Sequence, residues 1–324
     1  MLKKTLIFLI ILTVAACILF AVGPRVEVDT TVTFDEASIG DDVDAYLAER
    51  EAKFGDLRNG LQKEVIWAYP ASKAKTPLSI VYVHGFSSSK GETRPFADLI
   101  AHELGANLFY NRLTGHGRTE DAMAEGSVNA WVNDLAEAVA IGRKIGEKVI
   151  IIATSTGGGL SAWGTTEPPL LDDVAALVLI SPLFRINDPN YWMLTLPWAE
   201  QLAVMFEGEY RSFEPRNELQ KHINTYRYPT KALLPVSAIA ALAYAAPYEK
   251  VDIPVLFLIS DDDSVVRPDL TREIAQKWGG HWEIIPVEDS ESESQHVIVG
   301  DASSPSTTAK LSAKTIEWLK ENLK

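Results

Sequence analysis

Short, largely apolar runs recur along the chain, at residues 79–83, near 108, at 149–152, 176–180 and 255–259, with a further strand expected at 282–285. Runs of this length that do not alternate with polar residues are the mark of strands covered on both faces. Between them the period changes. Behind Ser127, a residue able to cap a helix, Trp131, Leu135, Val139 and Ile145 fall on one face of a helix beginning at Val128. Residues 41–54 have the pattern of an amphipathic helix, and 64–68 that of a first strand. Strands alternating with helices, without an internal repeat, predict an α/β fold built on a doubly wound, mostly parallel sheet.

Two segments break this rhythm. Residues 6–22 carry no charge, with Thr13 and Cys17 as mild polar breaks, and follow Lys3 and Lys4. Seventeen such residues reach the lower limit for crossing a bilayer and exceed most signal-peptide cores. The expectation is an uncleaved signal anchor over residues 1–24, ahead of a domain spanning 25–324. Lys3 and Lys4 before the run, against Glu27 and Asp29 after it, would keep the amino terminus cytoplasmic and the domain on the periplasmic or extracellular side. The alternative is a lipoprotein lipidated at Cys17, which follows Val14-Ala15-Ala16. Cys17 is the only cysteine, so the domain has no internal disulfide.

The second break lies between the strands at 176 and 255. Residues 187–247 are too many for a simple crossover, and they begin with a cluster that includes Trp192, Trp198, Met205 and Phe206. A helical cap is expected there. Part of its apolar surface must pack on itself and on the main body. Those four side chains are the candidates for lining an acyl pocket.

The ends of the runs carry the candidate chemistry. The strand at 149–152 leads into Ala153-Thr154-Ser155-Thr156-Gly157-Gly158-Gly159. A serine nucleophile on a sharp strand-to-helix turn needs small residues two before and two after it, here Ala153 and Gly157. The strand at 79–83 runs into His84-Gly85-Phe86, a turn whose backbone could face a developing oxyanion; the expected donors are the N–H groups of Phe86 and Thr156. The strand at 255–259 ends in Asp261-Asp262-Asp263, of which Asp263 is preferred as the acid, with an uncertainty of one or two positions. Six histidines leave few choices for the base. His84 and His116 belong to turns, His102 to a helix and His222 to the cap, and His281 lies at the amino end of a strand, the wrong edge of a parallel sheet. His296 remains, and the resulting order is Ser155, Asp263, His296.

With these residues in place the chain resembles the α/β-hydrolase superfamily, and within it the carboxylesterases, monoacylglycerol lipases and lysophospholipase-like hydrolases with a helical cap. The resemblance runs from about Val65 to Leu323. It is carried by His84-Gly85-Phe86, Thr114-Gly115-His116-Gly117-Arg118, the Ser155 turn, Asp263-Ser264-Val265-Val266-Arg267-Pro268 and Gln295-His296-Val297-Ile298. Ala153 departs from the family's usual glycine, and Thr154 stands where a larger residue is common. The resemblance implies a serine hydrolase acting on carboxylic esters through an acyl-enzyme, with no cofactor. A serine aminopeptidase or amidase of the same fold is the alternative, and a non-catalytic binding protein of this fold a more distant one.

Composition narrows the partners. The 324 residues are 47% hydrophobic and 23% charged, with a net charge of −14, which argues against nucleic acid as a partner. A small-molecule ester and, through the anchor, a membrane are expected; oligomeric state is not legible. No phosphate-cradle or zinc spacing is present, and the acidic stretch 288–294 reads as a solvated loop rather than a calcium site.

Overall fold

The computed structural model describes residues 2–323; Met1, at the start of the expected anchor, and Lys324 lie outside the described residues. The strands follow in the order β1 (Glu64–Ile66), β2 (Thr76–Val83), β3 (Asn107–Tyr110), β4 (Gly146–Thr154), β5 (Val174–Ile180), β6 (Tyr210–Ser212), β7 (Arg227–Pro229), β8 (Val255–Ile259) and β9 (Trp282–Pro286). Seven of them form one sheet in the order β1-β3-β2-β4-β5-β8-β9. All its pairings are parallel except β1 with β3.

The continuous apolar runs have a simple cause. Along β4, Val149, Ile151 and Ala153 enter the core on one face of the sheet, while Ile150 and Ile152 enter a second core on the other. Along β2, Val81 and Val83 divide from Ile80 and Tyr82 in the same way. The helices run as α1 (Leu2–Ala21), α2 (Val43–Glu51), α3 (Phe96–Leu104), α4 (Val128–Ile145), α5 (Ser155–Gly164), α6 (Ala199–Glu207), α7 (Glu218–Ile223), α8 (Leu233–Ala245), α9 (Pro268–Lys277) and α10 (Pro305–Asn322). Helices α4, α5, α8 and α9 supply the first core, and α3 and α10 the second. Ser127 caps α4, its side chain accepting the Ala130 N–H at 3.0 Å.

The insertion is less separate than its sequence suggests. It contributes α6 and α7 as a cap and also a two-stranded antiparallel ribbon, β6 with β7. Its third helix, α8, belongs to the main body: Val236, Ile239, Ala240 and Ala243 are buried in the first core, as expected of a helix that is apolar on nearly every side.

Helix α1 is long and apolar enough to cross a membrane, and none of its apolar stretch is buried. Its carboxyl end meets the cap. Trp198 donates its backbone N–H to the Pro24 carbonyl at 2.8 Å and its indole N–H to the Leu19 carbonyl at 3.1 Å. The chain then runs along α4, where the Asn133 side chain accepts the N–H groups of Thr33 and Phe34 at 2.7 and 2.8 Å.

Strand order determines where a site can form. From β2 the chain moves outward to β3, then returns past β2 to β4. Loops leaving the carboxyl ends of β2 and β4 therefore diverge and leave a crevice between them. Residues 84–94 and Ser155 border that crevice.

Candidate active site

Ser155 is the first residue of α5 and follows β4 without a linker. The reversal gives it a left-handed backbone, φ 51°. For a residue with a side chain this costs of order 1–3 kcal/mol and persists only where the surroundings impose it. The cause lies two residues on. A Cβ on Gly157 would stand 2.4 Å from the Val83 carbonyl oxygen and 2.5 Å from that of His84, so α5 touches the end of β2 backbone to backbone. The Thr154 side chain does not cap α5. The first amides of a helix have no intrahelical acceptor, so the Thr156 N–H stays free for a ligand at the positive end of the helix dipole.

Asp263 and His296 meet across 33 residues of chain: Nδ1 of His296 donates to Oδ2 of Asp263 at 2.7 Å. The other carboxylate oxygen accepts the N–H groups of Val265 and Val266 at 2.8 and 3.0 Å, which leaves the acid a single orientation. Asn187 donates to the Asp263 carbonyl and Ser181 to that of His296, at 3.0 and 2.7 Å. Asp261 is directed elsewhere, in a two-point ion pair with Arg272. Burial works against the charged form of His296, but the Asp263 carboxylate, aided by Glu92, outweighs it and raises the imidazole pKa. With Nδ1 donating, Nε2 presents its lone pair on the other side of the ring.

The turn after β2 is braced by two histidines that serve as structure. Leu113 N–H donates to Nε2 of His84 at 3.0 Å, and Ser87 N–H to Nε2 of His116 at 3.1 Å. Each ring places its Nδ1 against a backbone carbonyl, of Gly85 and of Thr114. An imidazole that accepts at one nitrogen and donates at the other is neutral. Burial, in addition, pushes His84 down to about 4 and His116 well below its ordinary value. Behind them Arg112 pairs with Glu51 and donates to the His116 carbonyl. Lys63 pairs with Glu137 nearby.

Ser155, Thr156, Phe86 and His296 border a single cavity of about 500 Å³, within the range of roughly 300–1,000 Å³ common for small-molecule sites. Its walls are mostly apolar, with Leu183, Met193, Leu194, Phe213, Tyr228 and Val236 among them. Of the four cap side chains expected there, Phe206 lines the cavity. Trp192, Trp198 and Met205 do not. Trp192, in a short 3-10 turn ahead of α6, and Met205 are more than half exposed; on α6 the buried positions are Ala199 and Ala203, and Phe206 reaches the cavity while itself largely exposed. Trp198 is turned towards the end of α1. A second cavity of about 490 Å³, lined by Val32, Phe34, Arg143 and Trp163, contains none of the candidate catalytic groups.

Sequence reasoning missed Glu92, which lies in the polar stretch 87–94 yet is buried on the cavity wall. It also missed the strained shell. Ser87, Ser181 and Gln295 share positive φ values of 60°, 44° and 54° with Ser155, and each lies beside one of the loops that form the site. Nothing in their residue types signals that.

The geometry has parallels among known proteins. The Hydrolase_4 family model, described as serine aminopeptidase, S33, matches residues 74–284. A thermostable monoacylglycerol lipase from Bacillus sp. (strain H-257) is 24% identical over 207 residues, covering 62% of this chain and 76% of that protein. A solved structure of the metagenome-derived lipolytic enzymes LipS and LipT superposes with a TM-score of 0.65 at 20% identity, over 82% of this chain and 99% of that one. The monoacylglycerol lipase of Paleococcus ferrophilus superposes with a TM-score of 0.57 at 18% identity, over 81% and 99%. The matched residues make the chain a member of the Hydrolase_4 family, with the α/β-hydrolase fold and a likeness to monoacylglycerol lipases.

Proposed function

We propose that the protein is a serine hydrolase that cleaves carboxylic esters, short to medium acyl esters or monoacylglycerol- and lysophospholipid-like substrates. The observation that carries this is the convergence on one largely apolar cavity of Ser155, of His296 held by Asp263, and of the uncapped start of α5. In the mechanism His296 Nε2 takes the Ser155 proton as Oγ attacks the ester carbonyl. Asp263 holds the imidazole in the required tautomer and stabilises its cation. The N–H groups of Phe86 and Thr156 stabilise the oxyanion. The imidazolium gives its proton to the departing alcohol, and water, deprotonated by His296, then releases the acid from Ser155.

An aminopeptidase would need an acidic group free to hold the substrate's ammonium. Of the acids on the cavity wall, Glu207 pairs with Arg211 at 3.1 Å, Glu92 is engaged by Gly85 and Tyr82, and Asp188 accepts the Asn190 N–H. The apolar remainder suits an acyl chain. Each buried methylene contributes about 0.8 kcal/mol, so kcat/KM should rise roughly three- to fourfold per carbon until the slot is full. A panel of p-nitrophenyl esters from acetyl to octanoyl, with matching aminoacyl p-nitroanilides, tests this reading. A flat ester series, or faster anilide turnover, rules it out.

We place the enzyme on a membrane through α1 as a signal anchor, with the domain outside the cytoplasm. The length and apolar surface of α1 support the anchor, and the hydrogen bonds from Trp198 to Leu19 and Pro24 would hold the cap near its end.

A further inference from the structure

The loop after the oxyanion turn, Ser87-Ser88-Ser89-Lys90-Gly91-Glu92-Thr93-Arg94, has the composition of a solvent loop. In the fold it is interior: Lys90, Glu92 and Thr93 are all buried. Lys90 is satisfied by Glu64 at 2.6 Å. Glu92 has no cationic partner among the described residues. Its Oε2 instead accepts the Gly85 N–H at 2.8 Å and the Tyr82 hydroxyl at 3.0 Å. The Tyr82 oxygen lies 3.1 Å from Oγ1 of Thr154, the residue before Ser155.

Two packing contacts wedge this carboxylate between the catalytic loops. A Cβ on Gly85 would stand 2.8 Å from Oε1 of Glu92 and 3.1 Å from Cβ of Ser155, so acid and serine flank the same glycine. On the other side, a Cβ on Gly300 would lie 2.7 Å from Cα of Thr93 and 2.8 Å from the Glu92 carbonyl, and Asp301 N–H donates to the Arg94 carbonyl at 2.8 Å. The segment that carries His296 thus rests directly on the backbone of Glu92. A buried, unpaired carboxyl is costly to a fold, and it is retained here beside a group that becomes a cation during the reaction.

We propose that Glu92 is a second, positioning carboxylate of the active site, which orients the Gly85 amide for the oxyanion turn and holds His296 basic together with Asp263. The inference rests on the serine-hydrolase reading above. When His296 takes the Ser155 proton, the imidazolium faces Asp263 through Nδ1 and the field of Glu92 from the turn after β2. Most other charges near His296 are paired, and Asp188 on the same cavity wall accepts the Asn190 N–H. On its own loop, Glu293 is exposed and pairs with Arg216, and Glu291 accepts the Ser306 N–H. In the cap Arg211 and Glu207 neutralise each other, and beside β2 Lys90 and Arg94 are paired with Glu64 and Asp98. Arg267 beyond β8 pairs with Asp269. His84 is neutral. The field of Glu92 raises the pKa of His296, in keeping with this placement; burial raises the pKa of Glu92 itself, opposed by the Gly85 amide, the His296 charge and the Tyr82 hydroxyl.

The test is the pH dependence of kcat/KM for a p-nitrophenyl ester with the full-length enzyme, comparing wild type, Glu92→Gln and Glu92→Asp. The glutamine keeps the shape and an acceptor for Gly85 but removes the charge. Its acid limb, which reports His296 in the free enzyme, should move to lower pH by at least about 0.5 unit, with kcat down roughly tenfold at the plateau. Glu92→Asp keeps the charge but withdraws it, so its limb should fall between the other two while kcat drops. If Glu92→Gln does not fold, the aspartate variant alone decides, by its shift and its kcat loss. An acid limb that stays in place, or moves to higher pH, overturns the proposal and leaves Glu92 a packing residue. Ser155→Ala measured alongside separates the two readings: if it turns over normally, the serine-hydrolase assignment has failed rather than the role of Glu92.

Discussion

Nε2 of His116 accepts the backbone N–H of Ser87 at 3.1 Å, a bond that helps tie the loop after β3 to the turn after β2. Protonating His116 would set one N–H against another. The same is true of His84 and Leu113. Both rings have pKa values below that of an unfolded histidine, about 6.5. Their contribution to stability is therefore complete above pH 6.5 and is lost as pH falls through the folded values, near 4 for His84. For His84 the stake is on the order of 3 kcal/mol. The melting temperature should fall between pH 7 and pH 5, and His116→Gln should be less stable at pH 7 but show a shallower decline. An equal slope in wild type and variant would contradict this account of the turn.

Ser155→Ala should reduce kcat by about 10⁴- to 10⁶-fold, because nucleophile and base act as a unit. The alanine inherits the same left-handed backbone, φ 51°, so the melting temperature should stay close to that of wild type. Steady-state kinetics and calorimetry on the same preparation separate lost chemistry from lost fold.

Among the three adjacent aspartates, Asp263→Asn should cost roughly 10³-fold or more in kcat through loss of imidazole orientation. Asp261→Asn should be nearly silent, since its exposed pair with Arg272 is worth little. A dead Asp261→Asn with an active Asp263→Asn would move the acid by two positions.

Full-length protein should sediment with membranes, and a chain beginning at Arg25 should be soluble and retain activity on a water-soluble ester. The reason is that α1 places no residue on the wall of the cavity beside Ser155. Loss of the membrane fraction in Cys17→Ser, with the apolar run intact, would favour a lipoprotein over an anchor.

Gly157→Ala should be strongly destabilising, or inactive if folded, because the new methyl would stand 2.4 Å from the Val83 carbonyl oxygen. Only a backbone shift of the turn can relieve such a contact. Circular dichroism melts and ester turnover would register it; wild-type behaviour in both would mean that α5 and β2 are less tightly apposed.

The fold was legible because its signals are local. Five interior strands announce themselves as short apolar runs, and α4 by its stripe and its serine cap. The first strand at 64–68 was legible as β1, though not its antiparallel pairing; the β6–β7 ribbon, three residues per strand, is too short to show a period. Much of the candidate site was legible for a related reason: a strand followed by small residues, aspartates or a lone histidine is a local pattern, and in a parallel sheet such ends collect at one edge. What depends on distance in sequence was hidden. Residue types do not say that Asp263 rather than Asp261 reaches a histidine 33 positions on, that Trp198 turns to the end of α1, or that of Met205 and Phe206, both largely exposed, only Phe206 borders the cavity. Least visible was Glu92. A glutamate in a run of serines and lysine reads as solvent-exposed, and only the closing of β2, β4 and the His296 loop around it makes it a buried carboxylate between the two halves of the site.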